Sequence, residues 1–365
     1  MIYFSVPADF LLSTLEKIDQ LNKIHKDCRV AEVYGQITIG DILSSGRVIN
    51  VLPQVDLNKL AHYVDQAKKY GIEFNYVLNP SCFGNQEFSS AGIKQVKMLL
   101  QNIWDIGIKN ITLASPALIE ISIATNLNFD IKASTICEIN SPAKASFYKK
   151  LGVKRIVVDA DITRSFVKLR DICKVFGEGV EIIANNVCRK NCPYKMFHYN
   201  HEAHSTSQSM QTIKDYFANR CLYENASDDT SYMKLNWIRP EDLHFYESCG
   251  INNFKIQGRQ YILTSDMIKT VQSYFERSYD GNLYDLITLF SSHNSNQYFI
   301  DNKKLNGFID KFYEEPDFCH DLCEECNYCF TFDCTDHKKI ERINSLVRRT
   351  LKEKDGFTRM ITNKL

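Results

Sequence analysis

The chain has 365 residues, with 44 Lys plus Arg against 44 Asp plus Glu, so its formal net charge at pH 7 is zero. No global field draws it to nucleic acid or to an anionic membrane, and contact with a polyanion such as RNA has to be regional. No apolar run reaches the roughly 18 residues of a spanning helix, and the opening MIYFSVPADFLLSTLEKI has neither a charged leader nor a continuous apolar stretch, so a cytoplasmic protein without a membrane segment is expected.

From the amino terminus to about residue 280, short β-rich runs alternate with helical patterns. IYFSVPA precedes the amphipathic DFLLSTLEKIDQLNKI, and RVAEVYG follows. LNKLAHYVDQAKKYG leads to IEFNYVLNP, and AGIKQVKMLLQNIWDIGI to NITLAS. FDIKAST is followed by SPAKASFYKKLG, KRIVVDADI by RSFVKLRDICKVFG, VEIIANN by a Cys/His-rich stretch, and NFKIQGR by SDMIKTVQSYFER. Eight strand candidates, most of them followed by a helix, predict an α/β fold, a TIM-type (β/α)8 barrel over residues 1–282. A doubly wound open sheet is the alternative, but no glycine-rich phosphate loop follows the first strand.

Chemistry on such a barrel belongs to the loops at the carboxyl ends of the strands. That rule brings Tyr34, Asn75 or Asn79, Ser134, Thr135, Asp159 and Asp161 to one rim, where each is otherwise an ordinary turn residue or cap. It also brings there residues 187–205, VCRKNCPYKMFHYNHEAHS, read as a loop. Thirteen cysteines in a chain without a secretion signal favour metal ligation over disulfides. Cys28, Cys82, Cys137, Cys173 and Cys249 are scattered through apolar-periodic segments and read as small buried hydrophobes. Cys188 and Cys192 are bunched, with Arg189, Lys190 and Lys195 nearby to favour thiolates. Cys221, in a long polar connection between residues 200 and 235, is the natural third ligand, and His198, His201 or His204 can offer a nitrogen. A Cys nucleophile with a His base is the enzymatic rival.

Residues 283–365 form a carboxyl-terminal extension. Its FCHDLCEECNYCFTFDC segment spaces Cys319, Cys323, Cys326 and Cys329 by three, two and two residues, which suits one iron–sulfur cluster or, alternatively, zinc. Cys334 is spare. The tail KKIERINSLVRRTLKEK, with Ile340, Ile343, Leu346, Val347 and Leu351 at helical spacing, predicts an amphipathic helix packed on its own domain, an RNA-facing helix being the alternative.

Four stretches resemble peptidase family U32, the collagenase-like protease family: IKASTICEINSPAKASFYKKLGVKRIVVDADI, VEIIANNVCRKNCPY, the Cys221 connection, and WIRPEDLHFYESCGINNFKIQGR. The resemblance implies a barrel, with Cys188, Cys192 and Cys221 as ligands of a [4Fe–4S] cluster and Glu181, Lys255 and Arg259 as pocket residues beside it. The Ser-Thr step and the Asn before the helix add Ser134, Thr135 and Asn140 as cofactor-binding candidates. The chain departs from the family pattern in two places: NWIRPEDL has no fourth cysteine, and Gln257 stands where the family has Glu. Cys249, the carboxyl-terminal group, a histidine or substrate is left to complete the coordination.

The function expected is iron–sulfur-dependent, oxygen-independent oxidation or hydroxylation of a small molecule or an RNA base. One cluster would sit at the barrel mouth, and a second, in the extension, would relay electrons from a redox partner protein. A collagenase-like peptidase using Cys188 or Cys192 as nucleophile with His198, His201 or His204 as base, or an unrecognised metal arrangement, is one alternative. A non-catalytic electron-transfer or scaffold protein is the other.

Overall fold

The computed structural model describes residues 1–40, 43, 46–204, 216–226, 230–292, 298–323, 325–332 and 334–354, without the side chains of 351–354. Eight parallel strands close a barrel: β1 (Ile2–Pro7), β2 (Cys28–Gly35), β3 (Glu73–Leu78), β4 (Asn110–Leu113), β5 (Asp130–Ala133), β6 (Arg155–Val157), β7 (Val180–Ile183) and, closing against β1, the strand Asn253–Lys255. These are the eight runs expected from sequence. The outer helices begin where small polar side chains accept from the first turn: Asp56 from Lys59 N, Ser89 from Gly92 N, Ser141 from Lys144 N and Asp266 from Lys269 N. Helix Pro116–Ile123 between β4 and β5 has no counterpart among the sequence expectations. Its residues PALIEISI are apolar on nearly every side, so no 3.6-residue contrast marks it.

The barrel is interrupted once. After β7 the chain makes a short antiparallel ribbon, β8 (Asn185–Arg189) with β9 (Leu235–Trp237), and between these strands it inserts helices Lys195–His204 and Tyr216–Ala226. The stretch 187–205 is therefore not a loop. It is a strand, a turn with Asn191 at φ 53°, and a helix carrying all three histidines. Short helix Leu243–Glu247 then leads into the closing strand, β10 (Asn253–Lys255).

One hydrophobic cluster runs from Ile2 to Ile340 and so joins the extension to the barrel. Phe308 bridges them, its ring centroid 5.4 Å from that of Trp237 on β9. Helix His337–Lys354 packs on helix Tyr216–Ala226. Ile340 and Asn344 are buried and Ile343 and Val347 half-buried, but Leu346 is 55% exposed. The apolar face is thus narrower than its sequence spacing predicts, because a polar residue takes a place in it.

Candidate functional site

TIM-type barrels usually fill their interior with branched apolar layers; here charge takes that place. Lys132 of β5 is fully buried, and its Nζ lies 2.7 Å from Glu32 Oε1 of β2 and 2.6 Å from Glu181 Oε2 of β7. Glu32 also accepts from Ser5 Oγ at 2.6 Å and Asn75 Nδ2 at 3.1 Å, and pairs with Arg155 at 2.8 Å. Burial pushes the Glu32 carboxyl up, but Lys132, then Arg155 and Lys255, overcome it and hold the group well below the usual carboxylate range. Asn75 thus belongs to the barrel interior, while Asn79 reaches the rim and donates to Ser134 Oγ at 3.2 Å.

Above this layer, Lys255 at the end of β10 stands 3.7 Å over the Tyr34 ring and 4.0 Å from Glu181 Oε1, an oxygen that accepts no hydrogen bond. Burial first, then Lys132, lowers the Lys255 amine to about 7. Arg259 follows Gly258, whose φ of +139° and closeness to Leu289 exclude a side chain. Its guanidinium donates to Gln36 Oε1 and, at 3.5 Å, to Asn79 Oδ1. Burial and Arg47 bring it down to about 10. Lys255 carries a stability signature. The unfolded amine keeps its proton up to its ordinary 10.5 while the folded one gives it up near 7, so between these values the unfolded chain binds more protons and stability rises with pH. Urea midpoints at pH 7 and pH 9 are expected to rise in the wild type relative to Lys255→Met; parallel behaviour of the two would contradict this assignment.

The insertion covers the mouth. Lys195 ties its first helix to the loop after β6, with Nζ 2.9 Å from Asp159 Oδ1, 2.6 Å from Asp161 Oδ2 and 3.6 Å from Glu138 Oε1. Cys188 N donates to Asn186 Oδ1 at 2.6 Å. Cys188, Cys192 and Cys221 lie close enough for their charges to interact. Burial pushes the thiols of Cys188 and Cys221 up, the latter to about 12. The nearby cations do favour the thiolates, Arg47 and Lys195 at Cys188 and Arg189 at Cys221, but burial outweighs them, and each of Lys195, Lys190 and Arg189 also faces a carboxylate. A bound metal cation would reverse that balance, because it stabilises the thiolate directly. Among the described residues no three His, Cys, Asp or Glu side chains stand ready to grip a single ion. Cys192 and Cys221, but not Cys188, line a cavity of about 370 Å³ together with Cys319, Cys323 and Cys329. The donor set fits a soft, multi-atom group in kind and position.

Other sequence candidates serve the surrounding loops. Ser134 caps Ile136 N, and Thr135 Oγ1 donates to Val158 O at 3.1 Å. Asn140 lines a separate cavity beside Ser165 and Phe318. His198 faces Glu202 at 3.5 Å and stacks on Phe217. Both buried ring nitrogens of His201 lack a hydrogen-bond partner. Cys249 is buried beside Cys173 and does not line the thiol cavity. Glu32, Lys132, Arg155 and Arg47 were not among the expected site residues. A charged residue within an otherwise apolar barrel strand, as in RVAEVYG and FDIKAST, is the signal that could have found the first two.

A curated protein of Methanocaldococcus jannaschii, described as an uncharacterized protease, is 28% identical over 331 residues, covering 90% of this chain and 96% of that protein. A solved structure described as a U32 peptidase is 17% identical, covering 70% of this chain and 92% of its own, with a TM-score of 0.49. Residues 50–285 match the model of peptidase family U32, a stretch that takes in β3 through β10, the three thiols of the mouth, Lys255 and Arg259. With more than half its length inside that match, the chain belongs to peptidase family U32.

Proposed function

We propose that the chain is an iron–sulfur enzyme that oxidises or hydroxylates a bound small molecule or RNA base without oxygen, in a cytoplasmic setting and with a one-electron carrier protein as redox partner. The observation that carries this reading is that the insertion bearing Cys188, Cys192 and Cys221 is tied by Lys195 to Asp159 and Asp161 on the same rim at which Lys255 stands over Tyr34 and Arg259 donates to Asn79. Cys188, Cys192 and Cys221 would hold a [4Fe–4S] cluster, whose chemistry when bound is to accept electrons singly. Oxidation removes two electrons, taken up by two equivalents of the oxidised carrier protein, and two protons, one passing to Lys255 and the other to water; in hydroxylation water supplies the oxygen atom. Lys255, half-deprotonated near neutral pH, accepts one proton, and the free Glu181 Oε1 beside it relays it onward. Arg259 and Arg47 orient an anionic group of the substrate by charge-assisted hydrogen bonds.

A peptidase is the second reading, supported by the description of the M. jannaschii relative. It needs a thiolate with a histidine base. His198 is directed to Glu202 instead, and the Cys188 thiol is raised.

The test is iron and sulfide content, with electronic absorption, of protein purified without oxygen, compared with a Cys188→Ala/Cys192→Ala/Cys221→Ala variant. The variant is expected to lose about four irons per chain, one cluster's complement. Unchanged iron would remove the iron–sulfur reading, and cleavage of a peptide panel by iron-free protein would favour the peptidase.

A further inference from the structure

The cysteines of the tail lie outside the residues that match the family model, and the barrel-mouth chemistry described above makes no use of them. We propose that Cys319, Cys323, Cys326 and Cys329 bind a [4Fe–4S] cluster of their own, seated against the barrel-mouth thiols so that the two clusters are neighbours. The first part stands on the tail alone; the second rests on the barrel-mouth cluster proposed above.

All four cysteines line one cavity of about 120 Å³. A single zinc ion, at about 2.3 Å from each sulfur, would draw four thiolates to within about 3.8 Å of one another. A cluster holds its thiolates further apart, around a volume, and the segment offers a volume that all four cysteines line. The backbone turns within the segment: Asp317 and Asp321 adopt φ of 58° and 62°, a left-handed conformation that aspartate tolerates better than most residues.

The surroundings suit a buried anion. Phe312, Phe318 and Tyr328 wall the cavity on one side, and Lys234 lines it. Arg164 stacks over Trp237 and Phe308 and donates to Met233 O at 2.7 Å and Leu235 O at 2.8 Å, yet its buried Nε has no partner. Lys190 Nζ reaches Cys319 Sγ at 3.6 Å. Four thiolates bring a cluster to net negative charge, which these cations offset.

Seating against the barrel follows from shared walls. Cys319, Cys323 and Cys329 also line the larger cavity with Cys192 and Cys221. The two cysteine segments are clamped together by Asp321, which accepts from Lys190 at 2.6 Å and from Asn191 Nδ2 at 2.8 Å, both residues lying between Cys188 and Cys192.

The experiment compares anaerobically purified wild type, the Cys323→Ala/Cys326→Ala variant and the Cys188→Ala/Cys192→Ala/Cys221→Ala variant for iron, sulfide and zinc, then for paramagnetic resonance after dithionite reduction. Cys323 and Cys326 are exposed, so their removal leaves no void in the core. Wild type is expected to hold about eight irons and eight sulfides, each variant about four of each. Reduced wild type is expected to give spin-coupled signals that become simple in either variant. Iron unchanged in the tail variant, or zinc without sulfide lost from it, overturns the tail cluster. Loss of four irons from the tail variant alone keeps the tail cluster and removes both its neighbour and the proposed function. Two uncoupled signals in the wild type overturn the seating.

Discussion

Replacing Lys132 by Met is expected to destabilise the protein by about 3–5 kcal/mol, the effect of breaking a buried ion pair by removing one partner. Lys132 is wholly buried and compensates two carboxylates that are themselves 3–4% exposed. Glu32 retains Ser5, Asn75 and Arg155 when the lysine is gone. Among the described residues Glu181 retains one ion pair, with Lys255 at 4.0 Å, and a weaker interaction with Arg155. The second carboxylate therefore carries most of the loss, and adding Glu181→Gln to Lys132→Met is expected to recover a large part of it. Urea unfolding of the two single variants and the double one measures the coupling. A single variant within about 1 kcal/mol of wild type, well below the buried-pair range, would mean that water or a rearranged Lys255 takes over the compensation.

Phe308→Ala is expected to cost about 3–5 kcal/mol, the range for deleting a buried aromatic ring, and to loosen the cysteine segment from the barrel before the barrel itself unfolds. The ring is fully buried between Trp237, Phe312, Tyr328 and Phe332, at centroid separations of 5.2–5.8 Å, with the Arg164 guanidinium 4.9 Å from its centre. Every one of these contacts joins the extension to the barrel or the extension to itself. Thiol-labelling rates at Cys319 and Cys329, which are partly buried against the core, are expected to rise at denaturant concentrations that leave the far-ultraviolet circular dichroism of the barrel native. Coincident transitions would mean that barrel and extension unfold as one unit.

The strands were legible because each is a short apolar, β-branched run closed by a turn, a local pattern that survives whatever the rest of the chain does. Helix Pro116–Ile123 was hidden for the converse reason: its residues are apolar on nearly every side, the exposed Ile123 included, so the contrast that reveals a helix is missing. The stretch 187–205 misled because its polar composition reads as loop, whereas its strand exists only by pairing with β9, some fifty positions onward. Pairing across that distance leaves no trace in local sequence.

The site divides in the same way. Bunching singled out Cys188 with Cys192 and the four tail cysteines as candidates, while Cys221 entered as the thiol of a long connection and through the family resemblance. The β10 strand motif singled out Lys255 and Arg259. Glu32, Lys132 and Arg155 escaped, because a charged residue in a strand has no evident partner until closure of the barrel brings β2, β5, β6 and β7 around one axis.

The sequence by itself determined the order of the eight barrel strands, the barrel class and the thiol inventory, all of which follow from local periodicity and residue chemistry. Only the tertiary structure decided that the interior is a compensated charge layer, that burial outweighs the nearby cations at Cys188 and Cys221, and that both cysteine groups open onto one cavity. Each of those facts depends on dielectric and distance between residues far apart in the chain, and these exist only once the chain has closed on itself.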